Sequence, residues 1–143
     1  MIVFLIRRAA DVDAARALAW RLRWHDCTPT AVWTSPHPLA ATTARILVEV
    51  LEWLGPVEVE PALGPGHDDP TRLASALASL APDAAVVLVG HEPLLSALGR
   101  ALDGGEALPA LAEGEAVRFD HGEPRWRFTH DGAAPVPGHE WPR

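Results

Sequence analysis

The sequence predicts an α/β fold built on a layered, largely parallel sheet. Two observations lead there. Short apolar runs recur along the chain, at residues 2–6, Ala31–Thr34 and 84–89, and the first and last are apolar without a break. Between them lie segments of about 10 to 15 residues whose apolar positions repeat at helical spacing. Unbroken apolar strands need cover on both faces, which helices from the intervening segments supply.

Each element follows from local chemistry. Residues 2–6, Ile-Val-Phe-Leu-Ile, are apolar, with β-branched and aromatic side chains suited to a buried strand. Residues 11–24 place Ala14, Leu18 and Leu22 on one helical stripe and Arg16, Arg21 and Arg23 off it, with Asp11 as the expected N-cap. Ala31–Thr34 is a second short strand. Residues 39–54 make a second helix, with Ile46, Leu47, Val50, Leu51 and Leu54 on its apolar side and Gly55-Pro56 as its stop. Residues 57–60 alternate Val and Glu, the pattern of a half-exposed edge strand. Residues 61–70 are a Pro/Gly/Asp loop and 71–80 a short helix.

Residues 84–89 form another strand, ended by Gly90. Residues 92–102 form a helix with Pro93 in its first turn. Residues 116–119 and 125–128 flank Asp120-His121-Gly122-Glu123, a hairpin signal. Residues 132–143 are rich in Pro and Gly and have little to bury, so a single domain is expected over 1–131, followed by a loose tail. No internal repeat is visible. Trp20, Trp24, Trp33 and Trp53 are expected to be buried or half-buried.

The composition narrows the function classes. The chain has 143 residues, 48% of them hydrophobic, enough for one packed core. Its net charge of −7 argues against general binding to nucleic acid or acidic membranes, so any anion site is a local exception. All 12 basic residues are Arg and none is Lys, so the choice of Arg at any one position carries reduced weight. One cysteine, Cys27, excludes an intrachain disulfide and a cysteine-based zinc cluster. No stretch approaches the roughly 20 apolar residues of a membrane span. The run at 2–6 is too short for a signal core and is followed by arginines, so a soluble, cytoplasmic protein is expected.

In sheets of this kind ligands collect beyond the carboxyl ends of the strands. Three chemistry-bearing sequences fall there. Arg7-Arg8 follows the first strand, and a pair of guanidinium groups is an anion site without being a base or a nucleophile. Gly90-His91-Glu92-Pro93 follows the strand at 84–89 and sets an imidazole beside the free N–H groups of a helix start, although a His capping or packing at a strand end has the same local signature. Thr34-Ser35-Pro36-His37-Pro38 links a strand to a helix, either as a plain capped turn or as a further wall of an anion pocket.

Taken together, these sequences resemble the histidine phosphatase superfamily, the phosphoglycerate mutase-like proteins, and most closely its small SixA phosphohistidine phosphatase branch. The family opens with a strand and Leu-x-Arg-His-Ala or -Gly; this chain has Leu5-Ile6-Arg7-Arg8-Ala9. The family continues with Thr-Ser-Pro-x-x-Arg-Ala-x-x-Thr-Ala; here Thr34-Ser35-Pro36-His37-Pro38-Leu39-Ala40-Ala41-Thr42-Thr43-Ala44 stands. Its later motif, Val-Gly-His followed by Asn or Glu and Pro, corresponds to Val89-Gly90-His91-Glu92-Pro93. The segment from Ala116-Val117-Arg118-Phe119 to Trp126-Arg127-Phe128 is similar to the SixA terminal hairpin. The resemblance covers most of 1–130. It implies a three-layer α/β/α sandwich with a mostly parallel central sheet, in the small SixA-type version.

The resemblance also implies a mechanism with four parts. A histidine on the first motif attacks phosphorus and becomes phosphohistidine; the arginine before it, an arginine on the second motif and a second histidine clamp the phosphoryl oxygens. Arg7 matches the first clamp arginine and His91 the second histidine. Arg8 stands in the nucleophile's place and Leu39 in that of the other clamp arginine. A lost charge-assisted hydrogen bond removes about 1.5–3 kcal/mol of phosphate binding. A lost nucleophile removes orders of magnitude in rate. By the family mechanism no catalytic residue remains, while Arg7, Arg8 and His91 keep the means to bind phosphate.

The expected function is therefore a catalytically impaired homologue that binds phosphate or a phosphorylated small molecule or protein as a regulatory module. One alternative is an active phosphatase of altered mechanism, with His91 or His37 as nucleophile; another is a structural or interaction protein with a vestigial pocket. Ser35, His37 and Glu92 are further candidates for the pocket wall. Cys27 lies at the amino end of its strand, on the wrong edge, and Arg45 is about 240° around the helix from Leu39, facing elsewhere. His67 and His121 are expected at the surface, and His25, His130 and His139 show no ligand spacing. No metal, cofactor, nucleic acid or membrane partner is implied.

Overall fold

A computed structural model describes residues 1–104 and 109–136. The chain runs β1 (Ile2–Arg7), α1 (Val12–Trp24), β2 (Ala31–Thr34), α2 (Pro38–Leu51), β3 (Val57–Val59), α3 (Thr71–Ala78), β4 (Ala85–Gly90), α4 (Leu94–Asp103), β5 (Ala116–Asp120), β6 (Glu123–Thr129) and β7 (Gly132–Pro135). All seven strands join one sheet in the order β3-β2-β4-β1-β5-β6-β7. The first four in that order are parallel, and β5, β6 and β7 extend the sheet as an antiparallel ribbon. The largely parallel sheet expected from the sequence is thus the half that carries the strand ends of interest.

Alternation along each strand splits the core into two layers. Val3, Leu5, Trp33, Val86 and Leu88 pack with Leu73, Leu77, Leu94, Leu95 and Leu98 of α3 and α4. Phe4, Ile6, Val32, Val87 and Val89 pack on the other face with Leu18, Leu22, Ala40, Ala44 and Leu47 of α1 and α2. Neighbouring residues point to opposite faces of a strand, so β1 and β4 feed both layers and cannot carry polar positions. Every residue of β4 is buried. Each fully buried Leu contributes about 1.5–3 kcal/mol. This is the three-layer α/β/α arrangement.

Most boundaries match the local signals. Asp11 caps α1, its carboxylate accepting from Ala14 N–H at 2.8 Å. The β5–β6 turn has His121 at φ 51° and Gly122 at φ 81°, the two left-handed residues of a type I′ hairpin.

Several expectations need correction. α2 ends at Leu51, not at residue 54, because Glu52 turns left-handed at φ 58° and Trp53 N–H reaches back to Val48 O. The Trp53 ring then lies so close over Gly55 that a Cβ there would overlap it, and Leu54 is left 98% exposed. Within 61–70, a 3-10 turn at Pro61–Leu63 tucks Leu63 fully into the core. The expected loose tail is a strand over its first part: β7 pairs with β6, and Val136 is buried. Residues 137–143 lie outside the described residues. Trp33 is buried and Trp53 half-buried, but Trp20 and Trp24 are exposed. The latter two sit on the outward face of α1, where the Arg23 guanidinium covers the Trp20 ring at 5.4 Å.

Candidate anion-binding site

The site is built where β2, β4 and β1 end side by side. Register sets Arg7 opposite Gly90 and Thr34 opposite Val89. Two further backbone bonds continue this edge beyond the strands: Arg8 N–H donates to Gly90 O at 3.0 Å, and Ser35 N–H donates to Val89 O at 2.9 Å. Parallel pairing therefore brings Arg7-Arg8, Ser35 and His91 to one sheet edge from positions up to 84 residues apart in the chain. The chain leaves β1 toward the α1–α2 face and β4 toward the α3–α4 face. In open α/β sheets such a divergence between neighbouring strand ends is where a ligand crevice is expected.

Ser35 is wholly buried, and its hydroxyl is 2.8 Å from His91 Nε2. The same hydroxyl oxygen accepts from His37 N–H at 3.1 Å. His37 caps α2, its Nδ1 accepting from Leu39 N–H at 3.2 Å. The His37 and His91 rings meet edge to face with centroids 5.3 Å apart. α2 starts at Pro38, so its N-terminal dipole adds positive potential at this corner.

Burial holds the His91 imidazole below its ordinary value of 6.5, and the charges of His37, Arg8 and Arg7 push it the same way. Burial and the neighbouring cationic groups thus all disfavour the charged imidazolium.

Leu39 lies in the first turn of α2 and is partly exposed. Its carbonyl accepts from the Thr43 hydroxyl at 2.8 Å, and the Thr43 hydroxyl oxygen accepts from Ala9 N–H at 3.0 Å. The backbone at position 39 is thereby tied through Thr43 to the loop that follows Arg8, and its side chain is apolar and partly exposed.

Glu92 is turned away from ligand duty. One carboxylate oxygen accepts from Ser96 N–H at 2.8 Å, and the other from the Ser96 hydroxyl at 2.5 Å and Leu111 N–H at 2.6 Å. It braces the start of α4 against the segment 109–115.

That segment also supplies contacts with no local sequence signal. Arg7 Nη1 donates to Leu111 O at 2.8 Å. Arg8 Nη1 lies 3.1 Å from a carboxylate oxygen of Glu113. Glu113 was not a candidate on sequence grounds. The adjoining Gly114 suggests a turn there, but nothing local says which residue the turn meets.

The remaining candidates lie elsewhere. Cys27 is buried, which pushes its thiol up to about 12 against the opposing pull of Arg118. His25 meets Trp126 at a tilt and Phe128 edge to face, with ring centroids 5.0 and 5.3 Å apart. Arg45, His67, His121 and His130 are exposed, and His139 lies outside the described residues. Among the described residues, no three His, Cys, Asp or Glu side chains are grouped to hold a metal ion, and no helix is long and apolar enough to cross a membrane.

No protein-family model matches the sequence, and no curated protein does. Solved structures do. A protein histidine phosphatase SixA, complexed with tungstate, superposes with a TM-score of 0.78 at 25% identity, over 89% of this chain and 96% of that one. Phosphoglycerate mutase from Plasmodium falciparum superposes at 0.68 with 13% identity, over 99% and 97% of the two chains. A mycobacterial glucosyl-3-phosphoglycerate phosphatase with inorganic phosphate superposes at 0.62 with 18% identity, over 88% and 94%. The two more distant matches bear on the fold alone; the SixA match is the one that covers nearly all of both chains at the higher identity. This chain has the phosphoglycerate mutase-like fold, and its structural likeness supports the histidine phosphatase superfamily, SixA-like branch, as the group it resembles.

Proposed function

We propose that this protein binds a phosphoryl group or phosphate at Arg7, Arg8 and His91 and does not turn it over by the phosphohistidine route. The observation that carries this reading is Arg8. It occupies the position that the family motif gives to the nucleophile, and its guanidinium has no lone pair to offer phosphorus near neutral pH. The apolar Leu39 at the other clamp position removes a second charged contact. What remains is a sheet edge with two guanidinium groups, a buried Ser–His pair and a helix start, a combination suited to holding an oxyanion. That SixA is seen with tungstate and the mycobacterial phosphatase with phosphate supports an oxyanion ligand for this edge of the fold. Such a protein would act as a regulatory module that senses phosphate or a phosphorylated partner.

His91 is a poor substitute nucleophile, since its Nε2 is held by the Ser35 hydroxyl. His37 uses Nδ1 to cap α2.

Restoration tests the reading. The wild-type chain is expected to release no p-nitrophenol from p-nitrophenyl phosphate above background, and to bind inorganic phosphate by calorimetry. The double variant Arg8→His with Leu39→Arg is expected to gain turnover and to trap phosphate on residue 8, detectable by mass spectrometry. Wild-type turnover, or a phosphohistidine at position 37 or 91, would replace this reading with that of an active phosphatase of altered mechanism.

A further inference from the structure

Both arginines of the site already hold partners, and both partners come from the segment 109–115. Arg7 donates to the Leu111 carbonyl, and Arg8 pairs with the Glu113 carboxylate. The backbone of this segment is fixed on both sides. Leu111 N–H is held by Glu92. Arg127 donates to the carbonyls of Pro109 and Ala110 and to the Glu115 carboxylate. Gly114 N–H is shared between the carbonyls of Arg7 and Arg8, at 3.1 and 3.2 Å.

Between these anchors the chain makes a β-turn over residues 112–115, closed by Glu115 N–H on Ala112 O at 3.1 Å. Gly114 takes φ 73° at the third position, as a type II turn requires. Glu113 is the second residue of that turn, its side chain reaching Arg8 from the apex. With the backbone already ordered, only the rotamers of Glu113 and Arg8 are given up when they pair. The contact is therefore more persistent than an ion pair between two free surface side chains.

We propose that Glu113 is a tethered anion that occupies Arg8 in the unliganded protein, and that a phosphoryl ligand binds by exchange with it. This rests on the anion-binding reading above and adds a threshold to it. A carboxylate brings one negative charge to Arg8. A phosphate dianion brings more charge and further acceptor oxygens for Arg7 and His91, so it can displace Glu113, while a monoanion such as acetate gains little by the exchange. The Glu113 side chain is 41% exposed, so its release into water needs no unfolding of the turn. The contact filters ligands by charge and keeps the site closed to weak anions.

Calorimetric titration of the full chain with inorganic phosphate tests this. Glu113→Gln keeps the size of the side chain and removes its charge; it is expected to bind phosphate about three- to tenfold more tightly than wild type. Asp83→Asn, at the opposite edge of the sheet in the turn before β4, removes the same charge and is expected to stay within about twofold of wild type. An unchanged Glu113→Gln affinity, or an equal gain in Asp83→Asn, overturns the tethered anion and leaves phosphate binding standing. Binding by Glu113→Gln alone, with a silent wild type, supports both ideas. Absence of binding in every variant overturns both.

Discussion

At the scale of single residues, His91 links the site to pH. Its imidazole is held below the ordinary value of 6.5 by burial and by the charges of His37, Arg8 and Arg7. Between its folded value and 6.5 the unfolded chain binds more protons at this group than the folded chain does. Its contribution to stability therefore rises with pH through that window and is lost as the solution is acidified. A bound dianion reverses the balance, because it favours the charged imidazolium and draws a proton into the site. Anion affinity is then expected to rise as pH falls from about 7.5 to about 5.5. Sulfate is the suitable probe, since its own charge is constant over this range. Calorimetry in two buffers of different ionisation enthalpy should show proton uptake in the wild type and a much reduced uptake in His91→Gln. Equal uptake in both proteins would show that His91 is not the group coupled to anion binding.

At the scale of elements, the junction of β4 and α4 holds the site in shape. Glu92 accepts three hydrogen bonds, two from Ser96 and one from Leu111. In Glu92→Gln an amide nitrogen must face one of these donors, leaving an unsatisfied N–H or hydroxyl. A loss of about 1–3 kcal/mol in urea unfolding is expected, and an unchanged midpoint would show that the brace is dispensable. The sequence motif Gly90-His91-Glu92-Pro93 made this junction visible, as did the apolar runs that become β1, β2 and β4. Their signals are local: periodicity, a cap, a glycine at a strand end. The parts that were not visible depend on contacts far apart in the chain. The guanidinium of Arg7 meets a carbonyl 104 residues away, and Glu92 reaches a backbone N–H across 19. Glu92 looked like a pocket wall because its position is right, but which way a carboxylate points is decided by the neighbours that tertiary packing brings. Trp20 and Trp24 misled in the opposite sense, since aromatic identity signals burial and only the helix face shows that these two point outward.

At the scale of the molecule, the parallel and antiparallel halves of the sheet have different tasks. The parallel half ends at the candidate anion site, while β5, β6 and β7 cover the side of β1 that would otherwise be an open edge. They also carry Arg127, which fastens the segment bearing Glu113. β7 closes this ribbon: it pairs with β6 from Thr129 opposite Gly132 to Trp126 opposite Pro135, and Val136 N–H then donates to Arg125 O. Removing the chain after Asp131 would strip that ladder, expose the buried Val136 contact surface and make β6 the edge. An uncovered strand of this kind recruits other chains. The truncated protein is therefore expected to lose at least about 1.5–3 kcal/mol, the value of one buried aliphatic side chain, and to associate in a concentration-dependent way. Urea unfolding and light scattering measure the two effects. A truncated chain as stable and as monodisperse as the full one would mean that β7 lies on the sheet without supporting it, and that the domain closes at residue 131.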